Sequence, residues 1–149
     1  MKGGLVVFRL GSEKYGIPLA YVRELGRVPK ATPVPRLPAF VAGVANLRGN
    51  VVALVDLRTV VGAAASPGDD PAGRRMMVVS VDGVAAGLLV DGVEGVVEVD
   101  GELDPPVPTL PESVRAVLQG HFQHGRSLIS VIDPAVIPAL RERAEAEAG

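Results

Sequence analysis

Cysteine is absent from the 149-residue chain, which excludes disulfides, thiolate nucleophiles and cysteine-held metal sites. Tryptophan is absent too, and aromatic residues make up 3%, so a packed interior must be built from Val, Leu, Ile and Ala. The two histidines, His121 and His124, would face opposite sides of a strand and so would not converge on one metal; they read as surface-loop residues. Neither sign of charge dominates. The formal net charge is −2 with acidic and basic residues interleaved, which argues against the basic stripe of a nucleic-acid binder and against an anionic-membrane patch. No window approaches the roughly 18 apolar residues of a membrane span. The start, Met1-Lys2-Gly3-Gly4-Leu5, lacks the long apolar region of a signal peptide. These absences together predict a soluble, cytoplasmic protein with no metal and no cofactor.

What the chain does have is apolar residues, 48% of the total, cut into short runs by 18 Gly and 13 Pro. Such punctuation leaves little room for helices and predicts strands. The runs are Leu5–Leu10, Tyr15–Leu19, Val28–Val34, Gly43–Leu47, Val51–Asp56, Met76–Val81, Ala85–Val90, Val93–Val99, Val117–Phe122 and Leu128–Ile132. Turn chemistry sits between several of them: Gly11-Ser12 after the first, and Asp82-Gly83, a two-residue hairpin signal, after Val81. Gly62–Gly73 reads as a flexible loop. Ala135–Ala148, rich in Ala, Glu and Arg, reads as a helix opened by Asp133-Pro134. A single helical turn is expected near Thr109, where Pro111 and Glu112 complete a capping-box pattern.

The chain also echoes itself. A shift of 71 lays Leu5–Leu10 on Met76–Val81, Gly16–Leu19 on Gly87–Val90, and Val22 on Val93. Gly49 through Asp56 has a counterpart in Gly125 through Asp133, each a Gly, an aliphatic run and an Asp that opens a short helix. Two matched sets of about five strands predict an all-β fold of two similar small barrels packed side by side, with a C-terminal helix. The expected subdomains are residues 5–70 and 74–138 of one domain spanning 1–149, the helix covering 135–148.

Catalytic groups are scarce. Asp56 and Asp91 each end an aliphatic strand and read as turn or cap residues. No Walker-type phosphate loop and no GxSxG elbow occurs. Val51–Leu57 resembles the phosphoacceptor strand of a response-regulator receiver, but a receiver also needs an acidic pair after its first strand and a late lysine. Here the first strand ends at Leu10-Gly11, and the only lysines are Lys2, Lys14 and Lys30.

The most specific segment runs from Val34 to Arg58: Val34-Pro35, then Pro38, Gly43-Val44, Asn46-Leu47-Arg48-Gly49, an aliphatic strand, and Asp56-Leu57-Arg58. It resembles the VPxxPxxxxGVxNLRG…DLR hallmark of CheW-like domains. Tyr15-Gly16-Ile17 leading to Val22-Arg23-Glu24-Leu25 is similar to the family's YGI and VxEI elements. Gly87-Leu88-Leu89-Val90-Asp91-Gly92-Val93 is similar to its GLxVDxV element. The resemblance covers roughly residues 5 to 138; Ala53 stands where the family usually has Pro.

The resemblance implies two SH3-like barrels and a non-enzymatic adaptor that couples methyl-accepting chemoreceptors to the CheA histidine kinase. It implies a receptor-binding set of Val22, Glu24, Arg48, Gly49, Met76 and Met77, with the receptor's helical hairpin tip in an apolar groove between the barrels. Arg27 and Gly87 are the implied kinase-binding residues, facing the kinase's regulatory domain. Glu24 is the natural carboxylate to hold the Arg48 guanidinium, and flexible thioethers suit a helix-binding surface. No nucleic acid and no membrane insertion is expected, only recruitment to membrane-associated receptor arrays. The alternatives are a CheW-like module of a non-motility pathway, an excised module of a kinase or receiver-fused adaptor, and an enzyme of another class. Met1 and the terminal helix favour a free-standing adaptor.

Overall fold

The computed structural model describes residues 1–64 and 71–148. Ten strands form: β1 (Lys2–Leu10), β2 (Glu13–Pro18), β3 (Val22–Arg27), β4 (Val41–Leu47), β5 (Asn50–Asp56), β6 (Arg75–Val81), β7 (Val84–Val90), β8 (Gly92–Asp100), β9 (Leu118–His124) and β10 (Ser127–Ile132). Three α-helices accompany them: α1 (Leu57–Val61), α2 (Glu112–Arg115) and α3 (Val136–Ala148). Nine of the ten expected strands have a counterpart. The exception is Val28–Val34, where Pro29, Pro33 and Pro35 cannot donate to a ladder; only Thr32 pairs there, bridging Val44. The strand in that region is instead β3, just upstream. Half of the loop expected over Gly62–Gly73, residues 65–70, lies outside the described residues.

Turn chemistry sets the hairpins. Leu10 pairs with Glu13 around Gly11-Ser12, with Gly11 at φ 60°. Val81 pairs with Val84 around Asp82-Gly83, both at positive φ, as a type I′ turn requires. Asp56 caps α1 by accepting from the Arg58 amide at 3.1 Å. Asp133 Oδ1 accepts from the Ala135 amide at 3.0 Å just ahead of α3. The turn expected near Thr109 begins at Glu112, with Pro111 in the cap position and no side-chain cap.

The strands make two five-stranded sheets, ordered β8-β1-β2-β10-β9 and β3-β6-β7-β5-β4. A shift of one repeat maps β1, β2 and β3 onto β6, β7 and β8, and β4, β5 onto β9, β10, so the two orders are the same order. Both sheets also contain one parallel pairing at the equivalent place, β2 with β10 and β5 with β7. The halves are nevertheless not the contiguous 5–70 and 74–138 expected. After β2 the chain turns through Leu19–Tyr21 and pairs β3 with β6 in the other sheet. After β7, Asp91 alone carries the chain back so that β8 pairs with β1. Each SH3-like unit therefore contains strands of both halves, because strand pairing is decided across the fold and local sequence is the same either way.

Three apolar clusters follow from the alternation of side chains along each strand. Leu5, Val7, Val99, Ile129 and Val131 fill the first unit. Ala45, Val52, Leu54, Met76 and Leu89 fill the second. The largest cluster lies between them and contains Val6, Phe8, Leu10, Tyr15, Ile17, Met77, Val79, Leu88, Val90 and the α3 residues Val136, Ile137 and Leu140. Strands β1, β6 and β7 are thus buried on both faces, which is why they read as continuous apolar runs rather than as alternation.

Tyr15 stacks on Phe8 with ring centroids 6.3 Å apart and directs its hydroxyl to Glu13 Oε2 at 3.2 Å. Burial, then the adjacent Glu13 carboxylate, pushes the phenol up to about 12. An unfolded tyrosine titrates near ~10, so the folded state holds this proton more tightly. The resulting stability is present below pH ~10 and drains away as pH climbs toward 12. Denaturant titrations between these pH values should show that decline, and Tyr15→Phe should show a shallower one.

Candidate binding surface

Arg48 and Gly49 form the two-residue turn between β4 and β5, where Leu47 pairs with Asn50. Both have positive φ, 53° and 86°. That is type I′ geometry, which Asn, Asp and Gly adopt easily and Arg does not. The Gly49 amide donates to Asn46 Oδ1 at 3.0 Å, which pins the turn. Upstream, Gly43 lets the Thr32 segment approach, since a Cβ there would lie 2.7 Å from the Thr32 carbonyl oxygen. The expected pair forms: Arg48 Nη2 lies 3.3 Å from Glu24 Oε2, with the Arg48 side chain 84% exposed. Because β3 and β4 stand at opposite ends of the sheet order, this contact and the Thr32–Val44 bridge draw those ends together.

Glu24 sits where β3 pairs irregularly with β6, the register shifting between Val22 and Glu24. Val22 is half-buried against the central cluster. The opposite face of β3 carries Leu25, 51% exposed, and the exposed Arg27. Arg27 pairs directly with Arg75 across the β3–β6 ladder, a juxtaposition of like charges that disfavours the isolated sheet. Arg75 is held by the carbonyls of Ala72 and Arg74 at 3.2 and 2.9 Å. Leu25, Arg27 and Arg75 of one sheet and Val93 of the other wall a cleft of about 400 Å³ over Gly26, Gly73 and Gly92.

Three of the residues expected on partner surfaces are elsewhere. Met76 and Met77 are both buried, 4% and 0% exposed, one inside the second unit and the other in the central cluster. Strand β6 packs one face on the second unit's interior and the other on the central cluster, so neither of its faces is free. Gly87 is buried as well, and a Cβ there would lie 2.8 Å from Leu54 Cδ2 and 3.0 Å from Met76 Sδ. It leaves room for the interior rather than for a partner, and it is not brought together with Arg27.

His121 is also a correction, being buried at 4% exposure rather than in a surface loop. Its Nε2 accepts from the Val107 amide at 3.1 Å, so the proton resides on Nδ1 and is donated to Ser130 Oγ at 3.0 Å. Ser130 is thereby an acceptor and not an activated nucleophile. The pair straps the 104–107 segment to β9.

Sequence reasoning missed a charge cluster at the crossover between the sheets. Asp91, its carboxylate 3% exposed, lies 3.2 Å from Arg74 Nε and 3.5 Å from Arg58 Nη1. It also accepts from the Gly11 amide at 2.7 Å. Arg74 Nη2 reaches Asp56 Oδ1 at 2.9 Å. The two carboxylates do serve turns and caps, as expected. The arginines that join them, Arg58 and Arg74, carry no local signal except the DLR triplet.

Residues 4–141 match the CheW-like domain. The chain belongs to the CheW-like family. It is 33% identical to the chemotaxis protein CheW of Rhizobium meliloti over 91% of this chain and 87% of that protein. It is 32% identical to the chemotaxis protein CheW of Klebsiella aerogenes over 86% and 76%. The crystal structure of the scaffolding protein CheW from Thermoanaerobacter tengcongensis superposes with a TM-score of 0.79 at 30% identity, covering 89% of this chain and 85% of that one. This CheW-like chain is an adaptor of chemotaxis-type signal transduction. Among its described residues no helix is long and apolar enough to cross a membrane.

An arginine at positive φ costs roughly 1 kcal/mol against glycine, and an exposed ion pair returns at most about that much. Arg48→Gly should therefore leave thermal stability unchanged or slightly raised. Gly87→Val, which overfills the second unit, should lower it by ~1–3 kcal/mol. Thermal melts of both variants check these opposite directions.

Proposed function

We propose that this protein couples methyl-accepting chemoreceptors to the CheA histidine kinase without catalysing a reaction, in the cytoplasm and at receptor arrays. The observation that carries this reading is the pair formed by Glu24 of edge strand β3 and the exposed Arg48 of the β4–β5 turn. A strained arginine that contributes little to stability fits a role outside the fold. Leu25 and Val93, on the other face of β3 and on β8, supply apolar walls for one side of an amphipathic receptor helix. Arg27 and Arg75 add two guanidiniums whose mutual repulsion a carboxylate on that helix would relieve. Val22, Glu24, Arg48 and Gly49 remain the receptor-facing set.

The kinase contact is assigned to the outside of a unit, in the manner of one SH3-like sheet packed on another. Arg27, placed in the cleft, suits the receptor better than the kinase. A groove of about 500 Å³ beside α3, with Val51 69% exposed and Ala85 exposed at its mouth over the buried Phe40, Ile137 and Leu140, offers an apolar rim for such a contact.

Binding is tested with a receptor cytoplasmic fragment and the kinase regulatory domain, separately and together. Each should bind alone and a ternary complex should form; failure of both removes the coupling role. Arg48→Ala should weaken the receptor fragment about tenfold, equivalent to ~1.4 kcal/mol, and leave kinase binding and the melting temperature unchanged. Unchanged receptor affinity would sink the assignment of Arg48. In addition, Leu25→Asp should abolish receptor binding in the same titration while the protein stays folded.

A further inference from the structure

The β9 edge of the first unit and the β4 edge of the second are covered in the same way. Thr32 bridges Val44 on β4, and Asp104 bridges His121 on β9. Each bridge is a reciprocal pair of backbone hydrogen bonds, at 2.8 and 2.9 Å. A shift of 77 lays Gly43, Val44 and Ala53 on Gly120, His121 and Ser130. Gly120, like Gly43, admits the covering segment, since a Cβ there would collide with the Asp104 carbonyl oxygen. Val44 pairs with Ala53 across its ladder, and His121 with Ser130 across the matching one. The same edge cover is thus built twice, once beside an apolar pair and once beside a titratable ring.

The ring extends its cover by three residues. Pro105, Pro106 and Pro108 have no amide hydrogen, so Val107 is the single backbone donor between Asp104 and Thr109. Its amide donates to His121 Nε2 at 3.1 Å, and His121 Nδ1 donates to Ser130 Oγ at 3.0 Å. Only a neutral imidazole accepts on one nitrogen and donates from the other. A second proton, on Nε2, sets an N–H against the Val107 N–H. Two donors then face each other, and a cation is buried without an acceptor.

The neighbouring charges are committed elsewhere. The ring lies along a crevice of about 430 Å³ between β2, β10 and the segment from Val107 to Leu118. From β2, Glu13 shares that crevice but accepts from the Tyr15 hydroxyl at 3.2 Å, and Lys14 pairs with Glu94 at 2.8 Å. Asp104 meets His121 through its backbone. Glu112 and Arg115 of α2 are exposed, with Arg115 Nε on the Leu110 carbonyl at 3.0 Å. His124, further along β9, is exposed as well. Among the described residues no carboxylate bonds to the His121 ring.

We propose that His121 is a proton-operated latch on the first unit: protonation at Nε2 releases the Val107 segment from edge strand β9 and opens the crevice beneath it. As pH falls through ~7 to ~5.5, where an imidazole takes up a second proton, the open form gains because it alone leaves the cation hydrated. The opening is local, since Leu110 and Val114 remain packed against the central cluster. The matched edge of the second unit, with Val44 in the place of His121, has no such response. The latch does not depend on the coupling role.

Amide hydrogen exchange and imidazole nitrogen spectra of the full chain test this. The Val44 amide, bonded to the Thr32 carbonyl at 2.9 Å, is the internal reference that removes the intrinsic pH dependence of exchange. Between pH ~7.5 and pH ~5.5 the protection of the Val107 amide should fall about tenfold more than that of Val44, in step with titration of the His121 ring. At the higher pH the ring should carry its proton on Nδ1. His121→Gln, which keeps an acceptor for Val107 at every pH, should abolish the dependence, and His124→Gln should retain it. A proton found on Nε2 at the higher pH would overturn the proposal. So would Val107 protection that tracks Val44 throughout, whether or not the ring titrates, or a fall that persists in His121→Gln. The first two outcomes are read on the parent chain, so they decide the matter even where a variant fails to fold.

Discussion

The structure depends on an apolar layer shared by two sheets that could not fill themselves. With three phenylalanines, two tyrosines and no tryptophan, neither five-stranded unit has large side chains to spare. Among the described residues the interior clusters of the two units contain only five buried residues each. The central cluster contains twenty, among them Phe8, Leu10, Ile17, Met77 and Leu88, all at 0% exposure. At roughly 1.5–3 kcal/mol for each fully buried side chain, this layer is the largest favourable contribution. It needs both sheets, and α3 adds Val136, Ile137 and Leu140 to its edge. The exchange of strands between halves strengthens the same dependence, because each unit is completed by chain from the other half.

The proposed binding surface lies where that layer ends. Strand β3 is an edge of its sheet; one face turns Glu24 to Arg48 and the other turns Leu25 and Arg27 to the cleft. Edge strands are liabilities unless they are covered, charged or used. Here the charge at Arg27 opposite Arg75 discourages indiscriminate pairing and leaves a surface that favours a partner with complementary charge. Arg48 occupies a turn position suited to Asn or Gly, and only its exposed ion pair with Glu24 offsets the backbone cost. The Asp91 cluster, at the crossover from β7 to β8, stands beside the same region.

Much of the fold was legible because strand formation and turns are local. Alternation, Gly11-Ser12, Asp82-Gly83 and the caps Asp56 and Asp133 all act within a few residues, and they located nine strands and the terminal helix. The Glu24–Arg48 contact was legible only through the family resemblance, which set two distant positions side by side. Met76, Met77 and Gly87 were misread because a strand's exposure depends on how many neighbours cover it. Nothing within β6 or β7 distinguishes an edge strand from one packed on both faces. His121 was misread for the same reason, its burial being created by the 104–107 segment folding over β9.

By itself, then, the sequence determined a cysteine-free, β-rich chain of two repeated strand sets, with its turns, its caps and a motif-bearing hairpin tip. Those are properties of periodicity and of residues with restricted or permissive backbones, which act before the chain has a partner. The tertiary structure alone decided that the halves exchange strands, that β6 and β7 are interior, that Arg27 faces Arg75, and that Arg74 reaches Asp56 and Asp91 together. Those depend on pairing between segments far apart in the chain, where burial and charge are set by what arrives from elsewhere.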